Sequence, residues 1–178
     1  MTKRMTLAQI RVRDKLHAAK HEAGHITYGE AKGMPVSGRL RKNPDLPRTF
    51  ADLMREKYWL GRVYYRVNAF ARLSNRQKAA LGLAGAIAQD GVDSAESVMD
   101  CWTTFDFSET DLLYIPRNWE EKRSTVKFVQ DAVEEAIAVL SSNNIRLNEI
   151  VDILVREEVY NKQGLRLEEM EETAVRLF

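Results

Sequence analysis

One five-residue run, His21-Glu22-Ala23-Gly24-His25, has the clearest chemical meaning in this chain. On a helix, residues four positions apart lie on one face, so the two imidazole rings can point at the same spot. Two neutral imidazoles can bind one zinc ion, and the glutamate between them lies beside the coordination position that stays open for water. There the glutamate can accept a proton from that water, as in zinc-dependent hydrolysis of amide bonds.

The chain has three histidines, and all of them fall in this stretch, with His17 one helical turn before His21. Such a row of rings is also compatible with a solvated helix face that binds no metal. Gly24 argues against this alternative, because glycine inside a helix costs about 1 kcal/mol relative to alanine and indicates that something approaches the backbone closely. The sequence therefore predicts a metal site at His21 and His25, with Glu22 as the general base.

The composition is that of an ordinary soluble protein. The 178-residue chain is 44% hydrophobic and 30% charged, and its net charge of +1 gives no overall reason to expect nucleic acid as a partner. No stretch approaches the roughly 20 apolar residues that span a bilayer, and the first residues do not resemble a signal peptide. The single cysteine, Cys101, excludes an internal disulfide, so we expect a cytoplasmic protein in which Cys101 is a small core residue.

The hydrophobic pattern predicts a mainly α fold with a small β element next to the helix that contains His21 and His25. Residues 36–40 and 63–67 have strand-like composition and are expected to form this β element. We expect one domain over 1–178, in which about 7–116 holds the metal site and about 117–178 forms a C-terminal helical part. Helices are expected at 7–32, 75–90, 118–141, 147–160 and 167–177, and shorter helical segments at 49–58, at 94–101 and between Ser108 and Pro116.

Three further segments follow the histidine motif in a recognisable order. Small residues crowd 81–89, and residues 108–112 read Ser-Glu-Thr-Asp-Leu. Residues 136–170 combine Ala-x-x-x-Leu, a polar break, an apolar helix and a closing Leu-rich turn. Together with the motif at 21–25, these segments resemble the zinc peptidase domain of the FtsH family of ATP-dependent proteases over about residues 15–172. The motif matches that family at every position, including its central Ala-Gly pair.

The resemblance implies a role for each candidate residue. His21 and His25 would bind zinc, Glu22 would be the general base, and Asp111 would be the third ligand, because it stands where the family has its ligating aspartate. His17 receives no ligand role, which places its ring behind the ligands or at the surface. Two alternatives stay open at this segment: Ser108-x-x-Asp111 is also a capping-box pattern, and Glu109 is the next carboxylate in line as a ligand.

We therefore expect a zinc metalloendopeptidase, with Zn²⁺ as cofactor, that acts on peptides, unfolded segments or small proteins. The chain contains no Gly-x-x-x-x-Gly-Lys-Ser/Thr loop, so no ATPase is built in, and a separate ATPase or a homo-oligomer is a conceivable partner. A segment such as 36–40 is expected to pair with the substrate backbone as an added strand.

Two other functions compete with the peptidase. The first is a peptidase-like binding or adaptor module that has lost turnover, although the intact Glu22 argues against it. The second is a nucleic-acid-binding protein, which rests on four basic residues in one predicted loop, Arg39, Arg41, Lys42 and Arg48.

Overall fold

The computed structural model of the chain describes residues 5–45 and 57–162. Among these residues the protein is mainly helical with one small sheet, which confirms the predicted fold class. The predicted helix at 167–177 and most of the predicted helix at 49–58 lie outside the described residues. The elements are α1 (Leu7–Ala31), β1 (Val36–Lys42), β2 (Trp59–Tyr65), α2 (Val67–Ala71), α3 (Asn75–Asp90), α4 (Ala95–Asp100), α5 (Arg123–Ser142), α6 (Asn144–Glu157) and β3 (Val159–Tyr160).

The sheet has the strand order β2-β1-β3, and both pairings are antiparallel. β1 pairs with β2 along its whole length, from Val36 opposite Tyr65 to Lys42 opposite Trp59. On its other side, β1 pairs with β3 at residues 38 and 39. Both sides of β1 are therefore occupied, and the prediction that segment 36–40 pairs with a substrate is wrong. Within 5–45 and 57–162, β2 has an edge to which no other strand is bonded.

The contact between α1 and α3 brings two helix backbones unusually close together. Gly24 lies at this contact, and a Cβ atom there would stand 2.3 Å from the carbonyl oxygen of Ala84. Real Cβ atoms do not approach oxygen so closely, so the sequence-based expectation of a close approach at Gly24 is confirmed. Ser74 caps the start of α3 and Gly91, with φ of 68°, ends it, as helix-capping preferences predict.

The C-terminal helices complete the same hydrophobic core. Buried residues of α5 such as Val133 and Ala136 belong to one cluster with Ala79 and Ala80 of α3. α6 is joined to α1 by the ion pair between Arg146 Nε and Glu30 Oε2, at 2.9 Å. The residues before and after position 117 therefore share one core, and the C-terminal helices buttress the two helices that carry and support the histidines.

Some local predictions are corrected by the structure. The segment from Ser108 to Pro116 forms hydrogen-bonded turns and not a helix. α5 begins at Arg123 and not at 118, because Asn118 adopts a left-handed φ of 54° and a single 3₁₀ turn follows it. β2 begins at Trp59, four residues before the predicted strand.

Two further findings concern the surface and the membrane. Cys101 is exposed, so the expectation that it belongs to the core is wrong. Across the described ranges, none of the helices has the length and apolar character needed to cross a bilayer.

We predict that Gly24→Ala lowers the free energy of unfolding. Helix propensity alone would favour alanine by about 1 kcal/mol, but forcing a Cβ against the Ala84 carbonyl costs about 1–3 kcal/mol. The sign of the change in unfolding free energy shows whether the helix propensity of alanine or the close contact with the Ala84 carbonyl has the larger effect. Chemical denaturation of the metal-free protein measures it, and a variant more stable than the wild type would contradict the close backbone contact.

Candidate metal centre

Three side chains that are distant in sequence converge at one point. His21 and His25 project from the same face of α1, and Asp111 reaches them from the turn after α4. His21 Nε2 lies 3.4 Å from Asp111 Oδ2, and His25 Nε2 lies 3.3 Å from Asp111 Oδ1. The ligand atoms of all three lie within 4.8 Å of one another, so this group could hold a metal ion.

A backbone contact orients the His25 ring for this role. Its Nδ1 lies 2.8 Å from the carbonyl oxygen of Leu81 on α3. A carbonyl can only accept, so Nδ1 must carry the hydrogen, and in the neutral ring the lone pair is then on Nε2, which faces Asp111. Zinc-binding histidines are commonly held by a carbonyl or carboxylate in this way.

Asp111 makes the capping contact that the sequence suggests and also lies where a metal ligand is expected. The Ser108 backbone N–H donates to Asp111 Oδ2 at 2.7 Å, and the Asp111 N–H donates to Ser108 Oγ at 3.2 Å. This reciprocal contact is a capping-box pattern, although the segment continues as turns. The same carboxylate presents an oxygen to each histidine, so the capping contact fixes the direction in which the ligand points. Glu109, the alternative ligand, is exposed and belongs to no group of this kind in the described chain.

Two glycines of α3 leave room for the centre. A Cβ on Gly85 would lie 2.3 Å from His25 Nε2 and 2.8 Å from His21 Nε2. A Cβ on Gly82 would lie 2.1 Å from the carbonyl oxygen of Asp111. Any side chain at these positions would occupy the place of a ligand, so the small residues of α3 form the floor of the site as well as a helix-packing surface.

Glu22 lies beside the histidines beneath strand β2. It is only 8% exposed, and a Cβ on Gly61 would stand 2.2 Å from both its Cγ and its Oε1. Burial raises the pKa of Glu22, and the charges of His21 and His25 offset this effect in part. A carboxylate with a raised pKa is a stronger base than an exposed glutamate, which suits proton transfer near neutral pH.

The electrostatics of the three converging residues are tightly linked. Burial alone would raise the pKa of Asp111, but hydrogen bonds and charge from the two histidines hold it well below its usual range. Burial alone would lower the pKa of His25, but its hydrogen bond with Asp111 and the charges of Asp111 and Glu22 raise it to about 9. In the metal-free protein, a proton on His25 therefore supplies positive charge next to Asp111.

The structure brings together His21, Glu22, His25 and Asp111 and leaves His17 exposed, in line with its expected place away from the ligands. It also adds neighbours that sequence reasoning missed, above all Gly61 and Tyr65 of β2. Strand alternation places residues 61, 63 and 65 on one face, but only a correct start of β2 reveals which face meets α1. No family model matches the chain, and no curated protein matches it significantly.

Each ligand makes a testable contribution to metal affinity. We predict one zinc ion per chain, lost in His21→Ala and in His25→Ala. Asp111→Asn should weaken zinc binding by about 100-fold or more, because an amide is a poor ligand, whereas loss of the capping contact alone would cost only about 1 kcal/mol of stability. Glu109→Gln, two residues away, is the matched control and should bind zinc normally. Elemental analysis and competitive chelator titration measure these effects, and unchanged affinity in Asp111→Asn would remove Asp111 from the ligand set.

Metal binding should also release a proton. With the pKa of His25 raised to about 9, this ring is protonated at pH 7 in the metal-free protein, and the ion must displace the proton. Apparent zinc affinity should therefore rise about tenfold per pH unit between pH 7 and 8 and level off near pH 9. Titration calorimetry in buffers of different ionisation enthalpy counts the proton, and binding at pH 7 without proton release would contradict the contact between His25 and Asp111.

Proposed function

We propose that this protein is a zinc metallopeptidase that hydrolyses peptide bonds in extended or unfolded segments. The observation that supports this most is the convergence of His21, His25 and Asp111 next to a buried Glu22. A purely structural zinc site usually has four protein ligands, whereas three ligands with an adjacent base are typical of hydrolytic sites.

The residues present fit zinc. Two imidazole nitrogens and one carboxylate are a common catalytic donor set for this ion, and Gly85 leaves open the space between them. When bound, the ion supplies a Lewis acid that lowers the pKa of water towards about 7 and polarises the substrate carbonyl. Neutral His25, fixed by the Leu81 carbonyl, and ionised Asp111 would hold it.

Glu22 would move the proton. Its carboxylate can accept a proton from the attacking water and later deliver it to the amine that leaves when the peptide C–N bond breaks. The raised pKa assists both steps, because it makes the carboxylate a better base and still lets it release the proton to an amine.

In the described part of the chain, the outer edge of β2 pairs with no strand, and it offers a place for the substrate backbone. Gly61 of this strand is exposed and lies directly over Glu22, so a peptide that pairs with β2 would pass close to the base. Binding through main-chain hydrogen bonds requires an extended segment and gives weak sequence preference. Unfolded chains, termini and flexible loops are therefore the expected substrates, and cleavage within such segments makes the enzyme an endopeptidase.

The environment of the protein is part of this proposal. One cysteine per chain favours a reducing compartment such as the cytoplasm. A separate ATPase that unfolds substrates, or a homo-oligomer, would extend the range of substrates but is not needed for hydrolysis of an unfolded peptide. Of the four basic residues behind the nucleic-acid alternative, Arg39, Arg41 and Lys42 lie along strand β1 and not in a loop, and Arg48 lies outside the described residues.

We predict that Glu22→Gln binds zinc normally and hydrolyses unfolded casein about 100-fold more slowly or worse, because an amide keeps the shape but cannot accept the proton. Gly61→Ala should resemble it, since the added methyl group displaces the flexible Glu22 side chain while the fold is kept. Glu109→Gln is the control with normal turnover, and ATP should have no effect on any of these proteins.

The outcomes separate the two candidate functions. Hydrolysis by the wild type that disappears in Glu22→Gln supports the peptidase. Zinc-loaded wild type that binds unfolded casein without cleaving it would instead identify an adaptor module, and near-normal turnover in Glu22→Gln would exclude Glu22 from the mechanism.

A further inference from the structure

Tyr65 ends strand β2 on the strand face that meets α1. Side chains alternate along a strand, so Tyr65 lies on the same face as Gly61 and Val63. Gly61 is packed against Glu22, and Val63 belongs to the residues packed against the core. Along β2, the face that meets α1 therefore runs from Gly61, which lies over Glu22, to Tyr65, which lies over Gly29.

The aromatic ring of Tyr65 rests on α1 at Gly29, one helical turn beyond His25. Its Cε1 lies 3.3 Å from the position that a Cβ on Gly29 would occupy. Gly29 follows His25 by four residues, one helical turn on the same face, which is about 6 Å along the helix axis. Cε1 neighbours the carbon that bears the hydroxyl group, so it is the hydroxyl end of the ring that lies over the helix at this turn.

The Tyr65 hydroxyl keeps its proton, so it is able to donate a hydrogen bond. Burial raises the pKa of Tyr65 well above its usual value, and the charges of Glu22 and Asp111 raise it further. Both site carboxylates act on this one hydroxyl, which therefore remains protonated at any working pH. Stacking on Phe70, with ring centroids 6.1 Å apart and planes at 29°, restrains the ring.

The chemistry of peptide hydrolysis calls for a donor at this position. As water adds to the carbonyl carbon, negative charge develops on the carbonyl oxygen, and preorganised donors stabilise it. The histidines cannot serve, since two of the three face Asp111 and His17 is exposed. The Lys57 ammonium, whose charge also acts on Glu22, is paired with Asp106.

We propose that Tyr65 is a catalytic residue whose hydroxyl donates a hydrogen bond to the carbonyl oxygen of the scissile peptide bond. This inference rests on the proposed peptidase function and adds to it a second protein group that acts on the reacting atoms. Glu22 would accept the proton of the attacking water, and Tyr65 would stabilise the negative charge that develops on the carbonyl oxygen.

The test compares Tyr65→Phe with Tyr64→Phe. Both substitutions remove one hydroxyl and keep the aromatic ring, but Tyr64 lies on the opposite face of β2, so it is a matched control in the same strand. The substrate is the casein peptide that the wild type cleaves best. The second probe is the same peptide with a phosphonamidate group in place of the scissile amide, whose tetrahedral oxygens mimic the charge that develops during hydrolysis.

For Tyr65→Phe we expect kcat to fall about 10- to 100-fold with KM and zinc content unchanged, because the lost hydrogen bond is made mainly to developing charge. Binding of the phosphonamidate, measured by calorimetry, should weaken by the same factor. A merely structural hydroxyl would lower the melting temperature and leave phosphonamidate affinity intact. Tyr64→Phe should match the wild type in kcat and in phosphonamidate affinity.

The two proposals fail in different ways. A zinc-loaded wild type that cleaves no casein refutes the peptidase function, and this inference falls with it. A wild type that does cleave casein, accompanied by Tyr65→Phe with kcat and phosphonamidate affinity within about twofold of normal, overturns the role of Tyr65 alone. If the wild type and Tyr65→Phe both cleave casein and neither binds the phosphonamidate, the role of Tyr65 is overturned as well.

Discussion

The backbone contact between α1 and α3 is the constraint on which the metal centre depends. Gly24 allows the α1 backbone to reach the Ala84 carbonyl, and this short distance brings Leu81 and Gly85 of α3 within reach of the histidine rings. If a side chain stood between the helices, the Leu81 carbonyl could not accept the His25 Nδ1 hydrogen. The Ala- and Gly-rich sequence of α3 thus has a chemical purpose in addition to helix packing, because it supplies both a hydrogen-bond acceptor and an open floor.

Burial of several ionisable groups in one place makes the site electrostatically dependent on a cation. Glu22 and Asp111 are 8% and 6% exposed, and each raises the cost of ionising the other. In the metal-free protein, positive charge on His25 compensates Asp111. A divalent ion in the same place would compensate both carboxylates at once and free His25 of its proton. Without a divalent cation, the negative charges of the two buried carboxylates are therefore poorly compensated, whereas a bound cation would compensate both.

The sequence predicted the parts of this site that depend on local spacing. The positions of His21, Glu22 and His25 follow from the helical repeat, and α3 was readily predicted because Ser74 and Gly91 mark its ends. Asp111 was reached only through a resemblance, because no local rule says which turn after α4 folds back onto α1.

The errors have a common physical origin. The strand pairing of β1 on both sides and the packing of Gly61 and Tyr65 against α1 are set by contacts between residues far apart in the chain. β3, only two residues long, has too little pattern to be recognised, yet its pairing with β1 closes the second edge of β1 at residues 38 and 39. Likewise, Asn118 in a left-handed conformation places the start of α5 after the predicted start at 118.

The placement of Glu22 bears most directly on whether the site is active or idle. Burial raises its pKa, and the charges of His21 and His25 offset this effect only in part. Such a group costs stability, since a buried carboxylate loses most of its hydration. An adaptor module would gain by replacing Glu22 with an apolar residue of similar size. Gly61, which is exposed, also leaves space above this carboxylate, because it has no side chain. A buried base beneath an exposed glycine of a strand fits the proposed hydrolysis, whereas binding alone requires neither feature.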